Sequence, residues 1–270
     1  MASWNEIGHV GIDYLSELYS GSYVVVKVSG SQLGRETIQE VIDQLHDMDE
    51  LLTYTGGKLA VVHGAGAQLD SKLKKKNLDF GKMNGLRVSN AYNIHVIMDE
   101  MQIITYQVAT ALRDLGTPAK PMLKGFKAES MGEDYGGHVG RPYSIGAELE
   151  ELLAHPVGHV VPILTSIGID DSGQCYNINA DDATVAVVAK VKPSLLIDVT
   201  ATNGVLGPDG EVETIFSLEK SVEYVTDGMA VKVDAFKRAL DYSPNTRIVV
   251  TGPSDMVQSL GNTSSTTIIR

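Results

Sequence analysis

The sequence feature that most constrains the fold is a strand, glycine turn and helix pattern that occurs twice in succession. Residues 23–28 are β-branched and almost uninterrupted, and they run through Ser29 and Gly30 into a helical stretch. Residues 58–63 repeat the pattern, with a glycine turn at 64–67 before a second helix. Buried strands that alternate with helices are typical of parallel sheets. The chain is therefore predicted to be an α/β protein with an open, mostly parallel sheet sandwiched by helices.

The rest of the chain adds elements of the same kinds. Apolar residues at helical spacing predict a long helix over 91–115. Buried strands are predicted at 157–164, 194–199 and 246–251. The glycine-rich segment 118–142 predicts hairpins over the sheet edge.

Composition excludes several classes of protein. The 270 residues are 43% hydrophobic, which is enough for a large core. The formal net charge is -12, from 22 Lys and Arg against 34 Asp and Glu, so nucleic acid is not expected as a partner. Cys175 is the single cysteine, which excludes an intrachain disulfide. With no leader-like or membrane-spanning window in the sequence, a soluble cytoplasmic protein is expected.

Two of the glycine-turn regions could bind an anion. Lys27 interrupts an apolar strand just before Gly30, at the carboxyl end of the predicted sheet, where ligands of α/β proteins bind. A buried ammonium is costly unless an anion meets it, although a lysine at a strand end is by itself usually only solvated. Gly64 and Gly66 would let backbone N–H groups approach a phosphate at a helix start, although such a pair also marks ordinary tight turns. The chain contains no P-loop, so separate segments must supply the lysines.

Three further positions carry chemistry. Arg87 follows a turn and is flanked by apolar residues, which suits either a guanidinium that grips a carboxylate or a structural ion pair. Asn179 is predicted to be a helix N-cap, and capping also accounts for Asp182. Helix capping does not account for Asn177 and Asp181, which are therefore candidate site residues.

Five short motifs follow one another along the chain: Val26-Lys27-Val28-Ser29-Gly30, Val62-His63-Gly64-Ala65-Gly66-Ala67-Gln68-Leu69-Asp70, Asn84-Gly85-Leu86-Arg87-Val88, Tyr176-Asn177-Ile178-Asn179-Ala180-Asp181 and Asp227-Gly228-Met229-Ala230-Val231-Lys232-Val233. In this order they resemble the acetylglutamate kinases of the amino-acid kinase superfamily, over residues 20–270. The second motif is most similar to that of fungal acetylglutamate kinases and bacterial bifunctional acetylglutamate synthase/kinases. The resemblance implies the amino-acid kinase fold.

The resemblance also implies a role for each matching residue. Lys27 and Lys232 would be catalytic and neutralise phosphate charge, while Asp181 would hold both lysines. Arg87 and Asn177 would bind the α-carboxylate of an acyl amino acid. The phosphate-binding residues would be Gly30, Gly64, Ala65 and Gly66.

The second half of the chain would bind the nucleotide. The resemblance implies ATP with Mg²⁺, without a dedicated metal site in the protein. It divides the chain into an N-terminal helix at 1–21, an amino-acid-substrate lobe at 22–176 and a nucleotide-binding lobe at 177–270, joined by one continuous sheet. Ser29, Asp227 and the turn at 263–266 depart from the family pattern. The implied nucleotide contacts are Thr200, Ala201, Asn203, Gly204, Gly228 and Met229.

The implied activity is ATP-dependent phosphorylation of the side-chain carboxylate of N-acetylglutamate, a step of arginine biosynthesis. Two alternatives use the same scaffold: a kinase-inactive arginine-sensing domain, and a kinase for a related acyl amino acid such as acetylaminoadipate. The first alternative is disfavoured because the chain retains Lys27, Asp181 and Lys232. Assays with a panel of acyl amino acids would distinguish the second alternative from an acetylglutamate kinase. A nucleotide-binding oxidoreductase ranks behind, because no G-x-G-x-x-G follows a strand.

The N-terminal segment predicts an amphipathic helix over 4–19. This helix could fold back on its own domain. The resemblance instead favours a contact between subunits, because arginine-sensitive acetylglutamate kinases carry such a helix beside an arginine site. A homo-oligomer with arginine as a feedback inhibitor is therefore expected. The apolar face of the helix consists of Trp4, Ile7, Tyr14, Leu15 and Leu18.

Overall fold

The computed structural model describes residues 11–154, 159–219, 227–261 and 265–270. The helices are α1 (Ile12–Tyr19), α2 (Ile38–Thr55), α3 (Gly66–Lys75), α4 (Ile94–Leu115), α5 (Ala147–Ala154), α6 (Ala180–Val191) and α7 (Asp227–Tyr242). The strands are β1 (Tyr23–Val28), β2 (Lys58–His63), β3 (Lys82–Met83), β4 (Leu86–Arg87), β5 (Ala119–Met122), β6 (Phe126–Ser130), β7 (Gly140–Ile145), β8 (Val161–Thr165), β9 (Ile167–Ile169), β10 (Cys175–Asn177), β11 (Leu195–Val199), β12 (Val205–Leu206), β13 (Val212–Glu213), β14 (Ile215–Ser217), β15 (Arg247–Thr251) and β16 (Thr266–Ile269).

Across the described residues, eight strands form the main sheet, in the order β14-β16-β15-β11-β1-β2-β8-β5. All neighbouring pairs are parallel except β15 and β16, which confirms the predicted mostly parallel sheet. A smaller sheet, β10-β9-β6-β7, contains the antiparallel pair of β6 and β7, which agrees with part of the hairpins predicted for 118–142. The start of that segment instead forms β5, which pairs in parallel with β8 at the edge of the main sheet. Because β1, β2, β11 and β15 run in one direction, their carboxyl ends meet at one edge of the sheet.

The strands bury side chains on both faces of the main sheet. In β1, Val24 and Val26 belong to the apolar cluster formed with α2 and α4. Val25 belongs to the opposite cluster, formed with α6 and α7. This alternation follows from the period of two of a strand, and it directs Lys27 to the same face as Val25.

Glycines end the two long helices. Gly56 follows α2 with a φ of 77°, and its N–H donates to the carbonyls of Leu52 and Thr53. Gly116 follows α4 with a φ of 105°. Both positions are left-handed C-caps, which glycine adopts without steric cost. The expected helix over 91–115 thus begins at Ile94 and ends where predicted.

The N-terminal helix is described from Gly11 onward, so Trp4 and Ile7 of the predicted apolar face lie outside the described residues. Within α1, Leu15 is buried against the protein's own core, whereas Tyr14 is 44% and Leu18 is 37% exposed. The described part of the helix therefore folds back on its own domain and leaves part of the predicted face uncovered. None of the helices among the described residues has both the length and the apolar composition needed to cross a membrane.

Candidate active site

Lys27 lies beside Asp198, which the neighbouring strand contributes. The two residues are partners in the parallel register of β1 and β11. Both are buried, with 5% of Lys27 and 1% of Asp198 exposed. Because partners in a parallel pair place their side chains on the same face, both groups face α6.

Asp181 and Lys232 complete an ion cluster of four residues with Lys27 and Asp198. The Nζ of Lys27 lies 2.8 Å from Oδ1 of Asp181 and 3.1 Å from Oδ1 of Asp198. The Nζ of Lys232 lies 2.5 Å from Oδ2 of Asp198 and 3.7 Å from Oδ1 of Asp181. Burial of these charges is tolerated because each one meets charges of the opposite sign.

The ion cluster shifts the proton equilibria of its members. Burial opposes the charge on Lys27, but attraction to Asp181 and then to Asp198 exceeds this effect and raises the pKa of Lys27. Burial alone would raise the pKa of Asp181, yet the two ammonium groups lower it to about 2. Burial lowers the pKa of Lys232. Attraction to Asp198 opposes this shift, and repulsion from Lys27 adds to it. An added anion would favour the charged form of Lys232.

Asp198 is a site residue that the sequence reasoning missed. Its signal is a carboxylate in the otherwise apolar run Leu195–Val199, the same kind of interruption that identified Lys27. A buried aspartate is rarely found without a partner. The partner could not be identified, however, because the strand order that places β11 beside β1 is not readable from the sequence.

Gly30 and the turn at 64–66 pack backbone against backbone. A Cβ on Gly30 would lie 2.6 Å from the Gly66 nitrogen and 2.8 Å from the Ala65 carbonyl carbon, so a larger residue would displace the turn. Among the described residues, none accepts a hydrogen bond from the N–H of Ala65 or Gly66. The N–H of Gly64, in contrast, donates to the Val28 carbonyl at 3.1 Å, so this residue can serve an anion only by lacking a side chain. The free N–H groups stand at the start of α3, where the helix dipole also favours an anion.

Arg87 is buried and has two carboxylates nearby. Its Nη2 donates to Asp70 and, at 3.2 Å, to the carbonyl of Gly66. Its Nη1 lies 4.0 Å from Asp79 and has no hydrogen-bond acceptor within the described part of the chain. The structural ion pair considered from the sequence is therefore present, and a further donor stays available to a ligand carboxylate.

Asn177 ends β10 close to the first turn of α6. Its Nδ2 donates to Oγ of Ser89 at 3.0 Å, and its backbone N–H donates to the His138 carbonyl at 2.9 Å. The side chain of Asn179 accepts a hydrogen bond from the Asp181 N–H at 2.8 Å, which confirms the predicted N-cap. These bonds fix the chain that leads into α6 and therefore the position of Asp181.

One cleft of about 560 Å³ brings most of the predicted site residues together. It lies at the carboxyl edge of the main sheet, between the turn at 64–66 and the start of α6. The predicted residues that line it are Lys27, Gly30, Gly64, Ala65, Gly66, Arg87, Asn177, Asp181 and Lys232.

The predicted nucleotide contacts lie outside the lining of this cleft. Thr200 follows β11, and its N–H donates to the Thr251 carbonyl at 2.8 Å. Asn203 donates to Asp255 at 2.9 Å, and a Cβ on Gly204 would lie 2.4 Å from Oγ1 of Thr266. The loop after β11 is thus anchored at the same edge of the sheet as Lys27, and Ala201 lies exposed within it. Gly228 and Met229 lie in the first turn of α7, ahead of Lys232.

Comparisons with known proteins give a consistent result. Residues 22–251 match the model of the Amino acid kinase family. The acetylglutamate kinase of Geobacillus kaustophilus is 32% identical over 259 residues, which cover 92% of this chain and 96% of that protein. The acetylglutamate kinase of Xanthomonas campestris pv. campestris is 31% identical over 270 residues, which cover 96% of this chain and 61% of that protein. The chain spans 61% to 64% of the length of three of the acetylglutamate kinases that it matches, from Xanthomonas campestris and two strains of Xylella fastidiosa.

Solved structures share the fold at low sequence identity. The N-acetylglutamate synthase from Neisseria gonorrhoeae, complexed with coenzyme A and N-acetyl-glutamate, superposes with a TM-score of 0.81 and 19% identity, over 96% of this chain and 62% of that one. The carbamate kinase from Giardia lamblia bound to AMP-PNP gives a TM-score of 0.69 and 15% identity, over 92% and 98% of the two chains.

Proposed function

Since this chain belongs to the amino acid kinase family, we propose that it transfers the γ-phosphate of ATP to the side-chain carboxylate of an N-acylated acidic amino acid, with N-acetylglutamate as the first candidate. The observation that carries the proposal is the cleft itself. It presents Lys27 and Lys232 together with the N–H groups of Ala65 and Gly66, for which the described part of the chain offers no acceptor. Cations and free backbone donors that converge on one cavity suit a transferring phosphoryl group.

The reaction requires positioning and charge neutralisation rather than a strong base. An oxygen of the acceptor carboxylate would attack the γ-phosphorus while the bond to the β–γ bridging oxygen breaks, so that an acyl phosphate and ADP form. The nucleophile is already ionised, and no proton has to move. Lys27 and Lys232 would stabilise the negative charge of the phosphoryl oxygens, and Asp181 and Asp198 would keep the two ammonium groups at a fixed spacing.

Arg87 and Asn177 would bind the α-carboxylate of the acceptor. The support for this role is the Nη1 of Arg87, a buried donor without a hydrogen-bond acceptor among the described residues. Asp70 and Gly66 hold the other nitrogen of the guanidinium, so its plane is oriented before a ligand arrives. A fixed guanidinium recognises a carboxylate with little loss of side-chain entropy.

The nucleotide would extend over the loop after β11, next to Thr200, Ala201, Asn203 and Gly204, and along the start of α7. Mg²⁺ would supply charge neutralisation on the ATP phosphates. Asp181, which lines the cleft, and Asp198, which lies behind it, both face lysine ammonium groups. These carboxylates are thus already paired, which fits an ion carried mainly by the nucleotide phosphates. The lobes at 22–176 and 177–270 would then bind the acceptor and the nucleotide respectively.

The proposal is tested with an ATP-dependent hydroxamate assay, because hydroxylamine traps acyl phosphates. N-acetylglutamate, N-acetylaspartate and N-acetylaminoadipate are compared at equal concentration, with free glutamate as the control. Hydroxamate formation from one acylated acid and not from glutamate is the expected result. ATP binding without hydroxamate from any of them would contradict the proposed reaction and favour a role in binding alone.

Assembly through the N-terminal segment remains part of the proposal. The support is the partial exposure of Tyr14 and Leu18 on α1. Sedimentation of the full chain beside a variant that starts at Gly21 measures whether the helix joins subunits. A lower mass for the variant is expected, and an unchanged mass would reject the interface. Activity measured with and without millimolar arginine tests the feedback inhibition, and activity indifferent to arginine would reject it.

A further inference from the structure

Ser29 follows β1 directly and lines the cleft together with Lys27. Its backbone is fixed on both sides. The N–H donates to the Val199 carbonyl at 3.1 Å, and the carbonyl accepts from the Gln32 N–H at 2.9 Å. Because neither bond involves the side chain, removal of the hydroxyl should leave the backbone of this loop in place.

The hydroxyl of Ser29 does not perform the ordinary task of a serine at this position. A short 3₁₀ helix, Gly30–Leu33, begins directly after Ser29, which is its N-cap residue. An N-cap serine commonly accepts a hydrogen bond from an N–H of the following turn, but the side chain of Ser29 makes no such bond. It instead accepts from the Nζ of Lys27 at 3.4 Å. Helix capping therefore does not explain this serine.

The contact with Lys27 leaves the proton of the hydroxyl available. An ammonium group can only donate, so the oxygen of Ser29 is the acceptor in this contact. The hydroxyl also carries a proton of its own, and none of the described residues accepts a hydrogen bond from it. Ser29 thus offers the cleft a neutral donor beside a charged one.

A single phosphoryl oxygen can accept from both donors. The Nζ of Lys27 lies 2.8 Å from Asp181, 3.1 Å from Asp198 and 3.4 Å from the Ser29 hydroxyl. Because the ammonium group and the hydroxyl are 3.4 Å apart, an anionic oxygen about 2.8 Å from the first can lie about 2.6 Å from the second. Both residues line the cleft, from which such an oxygen can approach. The hydroxyl is therefore placed to share a ligand with Lys27.

We propose that Ser29 is a further catalytic residue, whose hydroxyl donates a hydrogen bond to the γ-phosphoryl oxygen that Lys27 neutralises. The inference rests on the proposed phosphoryl transfer. The proton stays on the serine oxygen, so the hydroxyl adds a donor and leaves the balance of the reaction unchanged. Gly30, the next residue, packs against the turn with the free N–H groups, since a Cβ there would lie 2.6 Å from the Gly66 nitrogen. Ser29 is also a position at which this chain departs from the family pattern.

Nucleotide binding by the full chain tests the inference without turnover. Ser29→Ala removes the hydroxyl and keeps the Cβ, whereas Ser29→Thr keeps the hydroxyl. The Ala variant should bind AMP-PNP roughly 10-fold more weakly than the wild type, which is the typical effect of one hydrogen bond to a charged group. It should bind ADP equally well, because only the triphosphate analogue has a γ-phosphate. The Thr variant should recover most of the loss.

Ser194→Ala is the matched control. Ser194 precedes β11 at the opposite edge of the sheet, is half-buried like Ser29, and shares a hydrogen bond of 2.6 Å with the Ser22 hydroxyl. Its replacement should leave the binding of both nucleotides unchanged. In the hydroxamate assay, Ser29→Ala should lower kcat/KM for ATP roughly 10-fold and leave KM for the acyl amino acid unchanged, since the hydroxyl is assigned to the phosphate alone.

The outcomes separate this inference from the proposed function. Unchanged AMP-PNP binding in Ser29→Ala, equal losses for AMP-PNP and ADP, or a Thr variant as weak as the Ala variant would overturn the role of the hydroxyl. Each of these results leaves nucleotide binding and hydroxamate formation by the wild type intact. Failure of the wild type to bind either nucleotide would instead contradict the proposed function, and the inference with it.

Discussion

Replacement of Asp198 by asparagine should destabilise the fold strongly, although the two side chains have nearly the same shape. The carboxylate is 1% exposed and lies 2.5 Å from Lys232 and 3.1 Å from Lys27. Its loss leaves two buried ammonium groups with the single carboxylate of Asp181. Removal of one partner of a buried ion pair costs about 3–5 kcal/mol, so we expect the free energy of unfolding of D198N to fall by about 3 kcal/mol or more.

Urea denaturation of D198N beside a surface control measures this loss. Asp171, whose side chain is 87% exposed, pairs with Lys127 at 2.7 Å, and D171N should change the free energy of unfolding by less than about 1 kcal/mol. As the pH is raised, the kcat of D198N should also begin to decline at a lower pH than the kcat of the wild type. The reason is that the pKa of Lys232 falls further without its nearest anion, so this lysine loses its charge earlier. A D198N protein as stable as D171N, with an unchanged pH profile, would refute the assignment of Asp198 to the ion cluster.

Three further changes test the other parts of the site. Lys232→Ala should lower kcat ~100- to 1000-fold per native molecule, because its charge is assigned to the transition state; near-normal turnover would reject this role. Arg87→Ala should raise KM for the acyl amino acid far more than KM for ATP, since ground and transition states share the carboxylate clamp; equal effects on both KM values would leave Arg87 only its structural ion pair. The pKa of Asp181 in the folded protein is about 2, against an ordinary 3.8. The ionised carboxylate therefore stabilises the fold by roughly 2 kcal/mol above pH 3.8, and this contribution should disappear as the pH falls through 2. Asp181→Asn should lack this part of the acid dependence in pH-resolved urea denaturation, and an identical dependence would contradict the shift.

The sequence predicted the parts of the fold that depend on local pattern. Apolar runs followed by glycine turns at 29–30 and 64–67 specify strand, turn and helix within a few residues, and the structure has both units. The strand order was not predictable, because it depends on which distant strands bury each other's faces. Residues 195–199 lie next to β1 although more than 160 residues separate them along the chain.

The site shows the same division. Lys27 could be predicted because a charge inside a buried strand requires a partner, and Asn179 because N-caps have a local signature. The hydrogen bond of the Gly64 N–H and the pairing of Arg87 with Asp70 were not predicted. Both depend on how two separate loops approach each other, and periodicity carries no information about such an approach.

The register between β1 and β11 has a consequence for how sequences of this kind can change. Leu195, Ile197 and Val199 fill the core under α2, and Asp198 points to the opposite face. A slip of β11 by one residue would turn the carboxylate into that apolar core and three aliphatic side chains towards Lys27. The pairing that buries the strand is therefore the same pairing that assembles the ion cluster. Insertions or deletions between α6 and β11 are consequently expected to be absorbed in the loop, because a shifted strand would lose stability and the site in a single step.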